Sequence, residues 1–556
     1  MTDADRAVST STTRTPDGWR GSHKFAVAAG VGIGILLCVL NVLVLFRAGT
    51  SFGGSALVAV LGAALLRLAG SLNWQGLFVV FSIASSGYVA TAALDTGIGA
   101  VLLQTGALPS WALLVALAVL SNLLGIGLGS LVARSLIVTE RLPFPTLQPA
   151  ITLMKSLSSP AANGKNRLGT TLPIATGAGA AIAAGAAAWG RDDTPDLFGS
   201  GTHLALALSP LLFGVGFLIG PRACRWLAVG SVYSLVVWYV QDQDGITTYT
   251  EHLAYPWVLA CGVGLILGYS VSSLVRVRGP LTRSVSRVFR GPAPTQRWAR
   301  IVGGITLAIV AITAALVPST LKYVGLVALA GVLLLVLTVF LTRAGGEIGL
   351  VPLAPALYFS VAVFAVTGWG STVAVLTAST LCCAAIAAVY FTYSAKVAHE
   401  RPEELPEPPR KLVRWTQVGG GVAGAAIGIG VVAVLAGAGV IGGPAFPSPV
   451  ATAVKFVDSA VRGSAEYPAT VALALAIAGP IGAALTFTSV MPTMLGLGVL
   501  LPPAYSLTIA AGGLVQWLVV RRHPERKSGT EIVASGLIIG EGLVMVAILV
   551  LREVLP

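Results

Sequence analysis

The chain has 556 residues, of which 55% are hydrophobic and only 10% charged, with a mean hydropathy of +0.86 and a net charge of +13. A soluble chain carries roughly 25% charged residues, so an ordinary globular enzyme is excluded and a membrane protein is indicated. The basic excess lies in short loops between apolar runs, where membrane orientation accounts for it, and nucleic-acid binding is excluded on that ground.

Residues 1–24 are polar and contain Asp3, Asp5 and Asp17, which suits a disordered cytoplasmic tail better than a transit or signal peptide. Apolar runs then predict helices near 25–46, 54–70, 76–103, 110–133, 171–189, 203–220, 223–240 and 254–275. Runs of about 20 apolar residues are long enough to cross a bilayer. The loop from Arg134 to Arg167 carries five basic residues and one acid, and the loop from Arg276 to Arg300 carries seven arginines and no acid. The loops 191–196 (Asp192, Asp193, Asp196) and 242–251 (Asp242, Asp244, Glu251) are acidic. With the N-terminus in the cytoplasm, eight crossings put both basic loops inside and both acidic loops outside.

The second half reads as helices near 301–317, 322–343, 351–368, 371–395 and 415–441, a crowded region 466–502, and then 503–520 and 529–551. The Pro-rich loop from Lys396 to Arg414 and the basic cluster Arg521, Arg522, Arg526 and Lys527 are expected in the cytoplasm. That requires 466–502 to cross twice or to hold a re-entrant segment, and Pro480 and Pro492 interrupt it. The fold class expected is an all-α polytopic membrane protein of about sixteen transmembrane helices with broken or re-entrant segments. It divides into a tail (1–24), a first repeat (25–278), a basic cytoplasmic linker (279–300) and a second repeat (301–556).

The repeat rests on residues. Ser209-Pro210 through Gly214, Gly216, Leu218 and Pro221 aligns without a gap to Met491-Pro492 through Gly496, Gly498, Leu500 and Pro503, and the match continues to Gly230 and Gly512. Gly264-Leu265-Ile266-Leu267-Gly268 matches Gly536-Leu537-Ile538-Ile539-Gly540, and Gly76-Leu77 matches Gly349-Leu350. Two related halves around a midplane site is a recurrent transporter plan. Eight crossings per half would make the repeats parallel, and an odd number would invert them.

Candidate chemistry sits where the apolar pattern is broken. Glu541 lies in the middle of the last helix, and an acid at that depth normally faces a cavity or a polar partner. Glu347 lies in Gly345-Gly346-Glu347-Ile348-Gly349-Leu350-Val351-Pro352, where freed backbone can coordinate charged groups; the alternative is a solvated loop acid. Asp95 is either a pathway acid or the cap of a broken helix. Asn73 and Gln75 precede a stripe of Ser82, Ser85 and Tyr88 near one helical face, which lines a cavity or serves close packing. Pro143, Phe144, Pro145 and Thr146 form a double-proline helix end, and Ser209, Met491, Pro352 and Thr488 mark further breaks expected along the substrate and proton pathway. The five cysteines and five histidines lack metal-ligand spacing, so no metal site is expected. No nucleotide-binding glycine loop of the G-x-x-x-x-G-K-[ST] kind occurs.

Five segments in order resemble the oligopeptide transporter (OPT) superfamily, which includes the yellow-stripe-like metal–chelate carriers. They are Leu40-Asn41 through Gly49 to Ser55, Ile137 through Glu140 and Pro143-Phe144-Pro145-Thr146, Ser209-Pro210 through Pro221, Ala344 through Glu347 to Pro352, and Ala534 through Glu541. The departures are Asn73-Trp74-Gln75-Gly76 where the family often has an acidic or amide-rich cluster, and Leu147-Gln148 after Thr146 where a small residue is usual. The resemblance implies a non-enzymatic secondary carrier, usually coupled to H+, that moves small peptides, peptide-like conjugates or siderophore-type chelates across the cytoplasmic membrane by alternating access. The partners expected are that substrate and membrane lipid, with no nucleic acid and no cofactor; a homo-oligomer is left open. The rival readings are a passive channel or exporter, and a membrane-embedded enzyme acting on a lipid-linked substrate.

Overall fold

The structure, a computed structural model of the chain, describes residues 18–49, 51, 54–144, 147–158, 168–188, 204–242, 246, 248–290, 324–347, 351–405, 409–443, 445–464 and 467–554. The expected helix 301–317, the acidic loop 191–196, and Pro145 and Thr146 fall outside them. The described residues are helical apart from turns, short extended stretches such as 204–209, and isolated bridge positions, among them the bridge between Ile441 and Phe446.

In chain order the helices are α1 (Gly18–Ala48), α2 (Ser55–Leu68), α3 (Trp74–Gly87), α4 (Ala92–Thr105), α5 (Trp111–Arg134), α6 (Gln148–Leu157), α7 (Leu168–Ala188), α8 (Pro210–Ile219), α9 (Pro221–Asp242), α10 (Tyr249–Ala254) and α11 (Pro256–Arg290). They continue as α12 (Val324–Glu347), α13 (Leu353–Val366), α14 (Ser371–Glu400), α15 (Pro409–Gly437), α16 (Pro449–Val461), α17 (Pro468–Leu485), α18 (Pro492–Leu500), α19 (Pro503–Arg522) and α20 (Lys527–Val554). Prolines open α8, α9, α11 and α15 to α19. A proline in the first turn loses nothing, because that N–H has no intrahelical acceptor. Side-chain caps start others: Asn73 accepts from the Gly76 N–H at 2.6 Å, and Ser110 from Leu113 at 3.4 Å.

Among the described residues, eleven helical segments are long and apolar enough to cross a membrane by length and composition. Several expected crossings resolve into shorter pieces. The run 203–220 forms only α8, of 10 residues, and 351–368 forms α13, of 14. The run 76–103 breaks at Tyr88–Thr91 into α3 and α4, and the crowded region 466–502 holds one full-length helix, α17, followed by the nine-residue α18. The apolar pattern reports burial, not continuity, and Pro210, Pro352 and Pro492 set where these helices start. Helices α6 and α16 occupy stretches that the sequence reading left as loop.

Two sets of contacts organise the helices. Helices α1, α3, α4 and α5 pack with α12 to α16, and helices α8, α9 and α11 pack with α17 to α20, α7 lying along α20. Backbone approaches through glycine tie the second set together. Gly216 of α8 stands against the Ile509 carbonyl in α19, so a β-carbon there would clash with it. Its aligned residue Gly498 of α18 stands the same way against Leu227 of α9, the residue aligned with Ile509. Gly512 against Phe213 and Gly230 against Leu495 form a second such pair. Without a hydrophobic drive between helices in lipid, small residues at contacts let dispersion act over the greatest area.

Candidate functional site

Glu541 is buried, and α8 is built around it. Ser209, in extended conformation, starts α8 and accepts from the Leu212 N–H at 3.1 Å. Its hydroxyl lies 2.9 Å from both carboxylate oxygens of Glu541, and the Leu211 N–H donates to Oε2 at 2.7 Å. Arg47, at the end of α1, donates to Oε1 at 2.5 Å. The two charged side chains are each 5% exposed. The guanidinium also lies over the Tyr505 ring, 5.3 Å from its centroid. The carboxylate thus receives a cation, a hydroxyl and the positive end of a helix, which is the coordination a buried acid needs.

Close by, a cavity of about 740 Å³ opens where the two sets of helices meet. Its walls include Leu45 and Gly49 at the end of α1, Arg222 at the start of α9, Tyr269 and Arg276 of α11, Arg343 and Glu347 of α12, and Val450 of α16. The unwound segment Val351-Pro352 and the stretch from Thr486 through Thr488 to Leu497 complete it. Three arginines and one acid therefore face this space. Arg343 pairs with Glu347 at 2.6 Å and also with Glu140. Arg222 reaches the Ser489 carbonyl at 3.5 Å, and Arg276 the Thr486 carbonyl at 3.4 Å. Both arginines are exposed, with backbone oxygens rather than carboxylates as these partners.

The other expected site residues fall into separate groups. Glu347, Pro352 and Thr488 line the cavity, whereas Glu541 and Ser209 face each other beside it. Ser82 bonds Thr416 at 2.7 Å, Ser85 lies 3.4 Å from Ser394, and Tyr88 donates to Tyr390 at 2.9 Å. Gln417 completes that network on the Ser82 carbonyl (2.7 Å) and Ser394 (2.8 Å). This stripe therefore serves helix packing between α3, α14 and α15. Asn73 is a helix cap and Gln75 is half-buried beside it in the first turn of α3. Phe144 takes a left-handed backbone conformation (φ 47°), which few non-glycine residues adopt. It is held there by its N–H bond to the Gly346 carbonyl (2.8 Å) and by an edge-on contact with Tyr393, while exposed Pro143 accepts from Gln148. Phe144 thus braces the end of α12, next to the cavity.

Asp95 lies in the first turn of α4, just beyond the break at Tyr88–Thr91, and is fully buried. The Thr91 hydroxyl donates to Oδ2 at 2.8 Å, and Oδ1 has no hydrogen-bond partner among the described residues. No cation is within ion-pair distance of it among them.

The sequence reading missed Arg47, Arg222, Arg276 and Arg343. A signal was available for two of them. Leu45-Phe46-Arg47-Ala48-Gly49 and Leu341-Thr342-Arg343-Ala344-Gly345 are alike, and each places an arginine at the end of an apolar helix. Arg222 and Arg276 looked like ordinary loop-edge charges, and only the folding of α9 and α11 against the 486–494 stretch brings them to one space.

A comparison with family models matches residues 25–238 and 293–552 to the family described as OPT oligopeptide transporter protein. A search of curated proteins finds no match.

Proposed function

The chain belongs to the OPT oligopeptide transporter family and is a multi-pass membrane protein, and from that premise we propose that it is a proton-coupled secondary carrier working by alternating access. Its cargo is a small peptide, a peptide-like conjugate or a metal chelate, and its seat is the cytoplasmic membrane with the N-terminus inside. The observation that carries this reading is the cavity of about 740 Å³ at the junction of the two helix sets, walled by broken helices and by charges of both signs. Ligand sites for small molecules run from about 300 to 1,000 Å³, so the space suits a cargo of a few residues.

The exchange of contacts between aligned glycines supports two structurally related halves. Helices α7, α8, α9 and α11 correspond to α17, α18, α19 and α20. Loop charge puts the basic ends of α11 and α19 in the cytoplasm, so that α11 runs toward it and α20 away from it, which makes the halves inverted. Alternating access is then a change of which half-helix terminus faces water. In this conformation the α8 terminus is sealed by Glu541 and Arg47, and the α18 terminus faces the cavity.

Coupling needs an acid whose protonation differs between states. Glu541 and Glu347 both hold arginine partners. Asp95 is the buried acid with no such partner among the described residues, and we assign it the coupling proton. The test uses purified protein in vesicles. Uptake of labelled di- and tripeptides should rise when the inside is made alkaline and should collapse with a protonophore. Uptake indifferent to an imposed pH gradient refutes proton coupling. Failure of preloaded peptide to accelerate exchange would favour a pore.

A further inference from the structure

We infer that the cavity binds a carboxylate-bearing, net anionic substrate, through Arg222 and Arg276. The inference rests on the carrier reading above and narrows its cargo.

The charge inside the cavity is unbalanced. Arg222, Arg276 and Arg343 face it against a single acid, Glu347, and that acid is bound to Arg343. Arg343 takes a second carboxylate from Glu140, so it is satisfied within the chain. Arg222 and Arg276 rest on the carbonyls of Ser489 and Thr486 at the long distances of 3.5 and 3.4 Å. Two guanidinium groups thus converge on one stretch, each weakly held by neutral acceptors. Guanidinium prefers planar oxyanions, with which it forms two parallel charge-assisted bonds.

The chain carries its own example of what such a place holds. At the sealed site, the N-terminus of α8 and Arg47 enclose the Glu541 carboxylate. The alignment of Gly264-Leu265-Ile266-Leu267-Gly268 with Gly536-Leu537-Ile538-Ile539-Gly540 puts Tyr269 opposite Glu541. In the same way, Arg343 stands opposite Arg47 and Met491 opposite Ser209. Tyr269, Arg343 and Met491 all line the cavity. The related site therefore has the helix start and an arginine already paired with Glu347 and Glu140, but Tyr269 puts no carboxylate at the α18 start, which has no side-chain cap. A carboxylate from the substrate fills the role that Glu541 fills on the other side. The second guanidinium accommodates a second carboxylate, which favours acidic peptides or polycarboxylate chelators over neutral and basic peptides.

The experiment measures binding to the purified full chain at low salt, using Glu-Glu, Ala-Ala and Lys-Lys dipeptides and citrate as probes. Glu-Glu should bind about tenfold or more tightly than Ala-Ala, and Lys-Lys more weakly still. The double variant R222Q/R276Q should erase that preference, bringing Glu-Glu to within about twofold of Ala-Ala measured on the same variant. Tyr269→Glu, which restores the missing acid within the chain, should weaken Glu-Glu by about tenfold and leave the gel-filtration profile unchanged. Preference for Glu-Glu assigns a peptide source for the carboxylates, and preference for citrate a chelator source; either supports the inference. Equal binding of the acidic and neutral probes, or an acidic preference that survives in R222Q/R276Q, overturns it. Transport of Ala-Ala without acidic preference would leave the carrier reading standing, whereas acidic binding with no uptake of any probe would sink the carrier reading alone.

Discussion

Removing one partner of the Arg47–Glu541 pair exposes the energetics on which the sealed site depends. Each side chain is 5% exposed and the two approach to 2.5 Å, so Glu541→Gln leaves a guanidinium buried against a neutral amide. Breaking a buried pair in this way costs about 3–5 kcal/mol. Arg47→Met leaves the carboxylate with the Ser209 hydroxyl and the Leu211 N–H, and its cost falls at the lower end, about 3 kcal/mol. The double variant R47M/E541Q buries no unpaired charge. It loses only the charge assistance at the start of α8, worth about 1–3 kcal/mol. The singles should therefore be non-additive, with a coupling energy of at least about 3 kcal/mol. The assay is unfolding of the four proteins in mixed detergent–SDS micelles, followed by helicity. Single variants that each cost less than about 1 kcal/mol and add in the double would refute the claim that this pair fixes α1 to α20 and α8.

Three other perturbations separate the remaining elements. Asp95→Asn keeps the size and the Thr91 partner, so the protein should fold and exchange preloaded peptide within about twofold of the parent while losing accumulation driven by a pH gradient; retained gradient-driven uptake in vesicles excludes Asp95 as the proton carrier. Gly216→Ala places a methyl against the Ile509 carbonyl and should cost about 1–3 kcal/mol, whereas Gly430→Ala, with nothing within 4 Å of the added carbon, should be neutral or slightly stabilising in the same unfolding assay. Gln417→Leu leaves Ser394 and the Ser82 carbonyl only their longer contacts with Ser85, at 3.4 and 3.3 Å, and should cost about 1–3 kcal/mol with substrate preference unchanged in competition uptake; a changed preference would return the Ser82, Ser85 and Tyr88 stripe to the substrate pathway.

The sequence by itself determined that this is a helical membrane protein, because apolar length and loop charge depend only on local composition. It also located Glu541 and Ser209, since an acid at mid-helix and a serine–proline start are each unusual on their own. Their mutual contact across 332 positions could not be read there, because nothing local links α8 to α20. Burial likewise hid continuity: an apolar run reads the same whether it is one crossing or a half-helix such as α8 or α18. The stripe of Ser82, Ser85 and Tyr88 suited a cavity wall or a packed seam equally in the sequence, and the positions of α14 and α15 place hydrogen-bond partners against it. Arg222 and Arg276 show the converse. Each is an ordinary interfacial charge in the sequence, and the tertiary structure alone makes them neighbours, because electrostatic function depends on where charges converge in space and the chain order does not encode that distance.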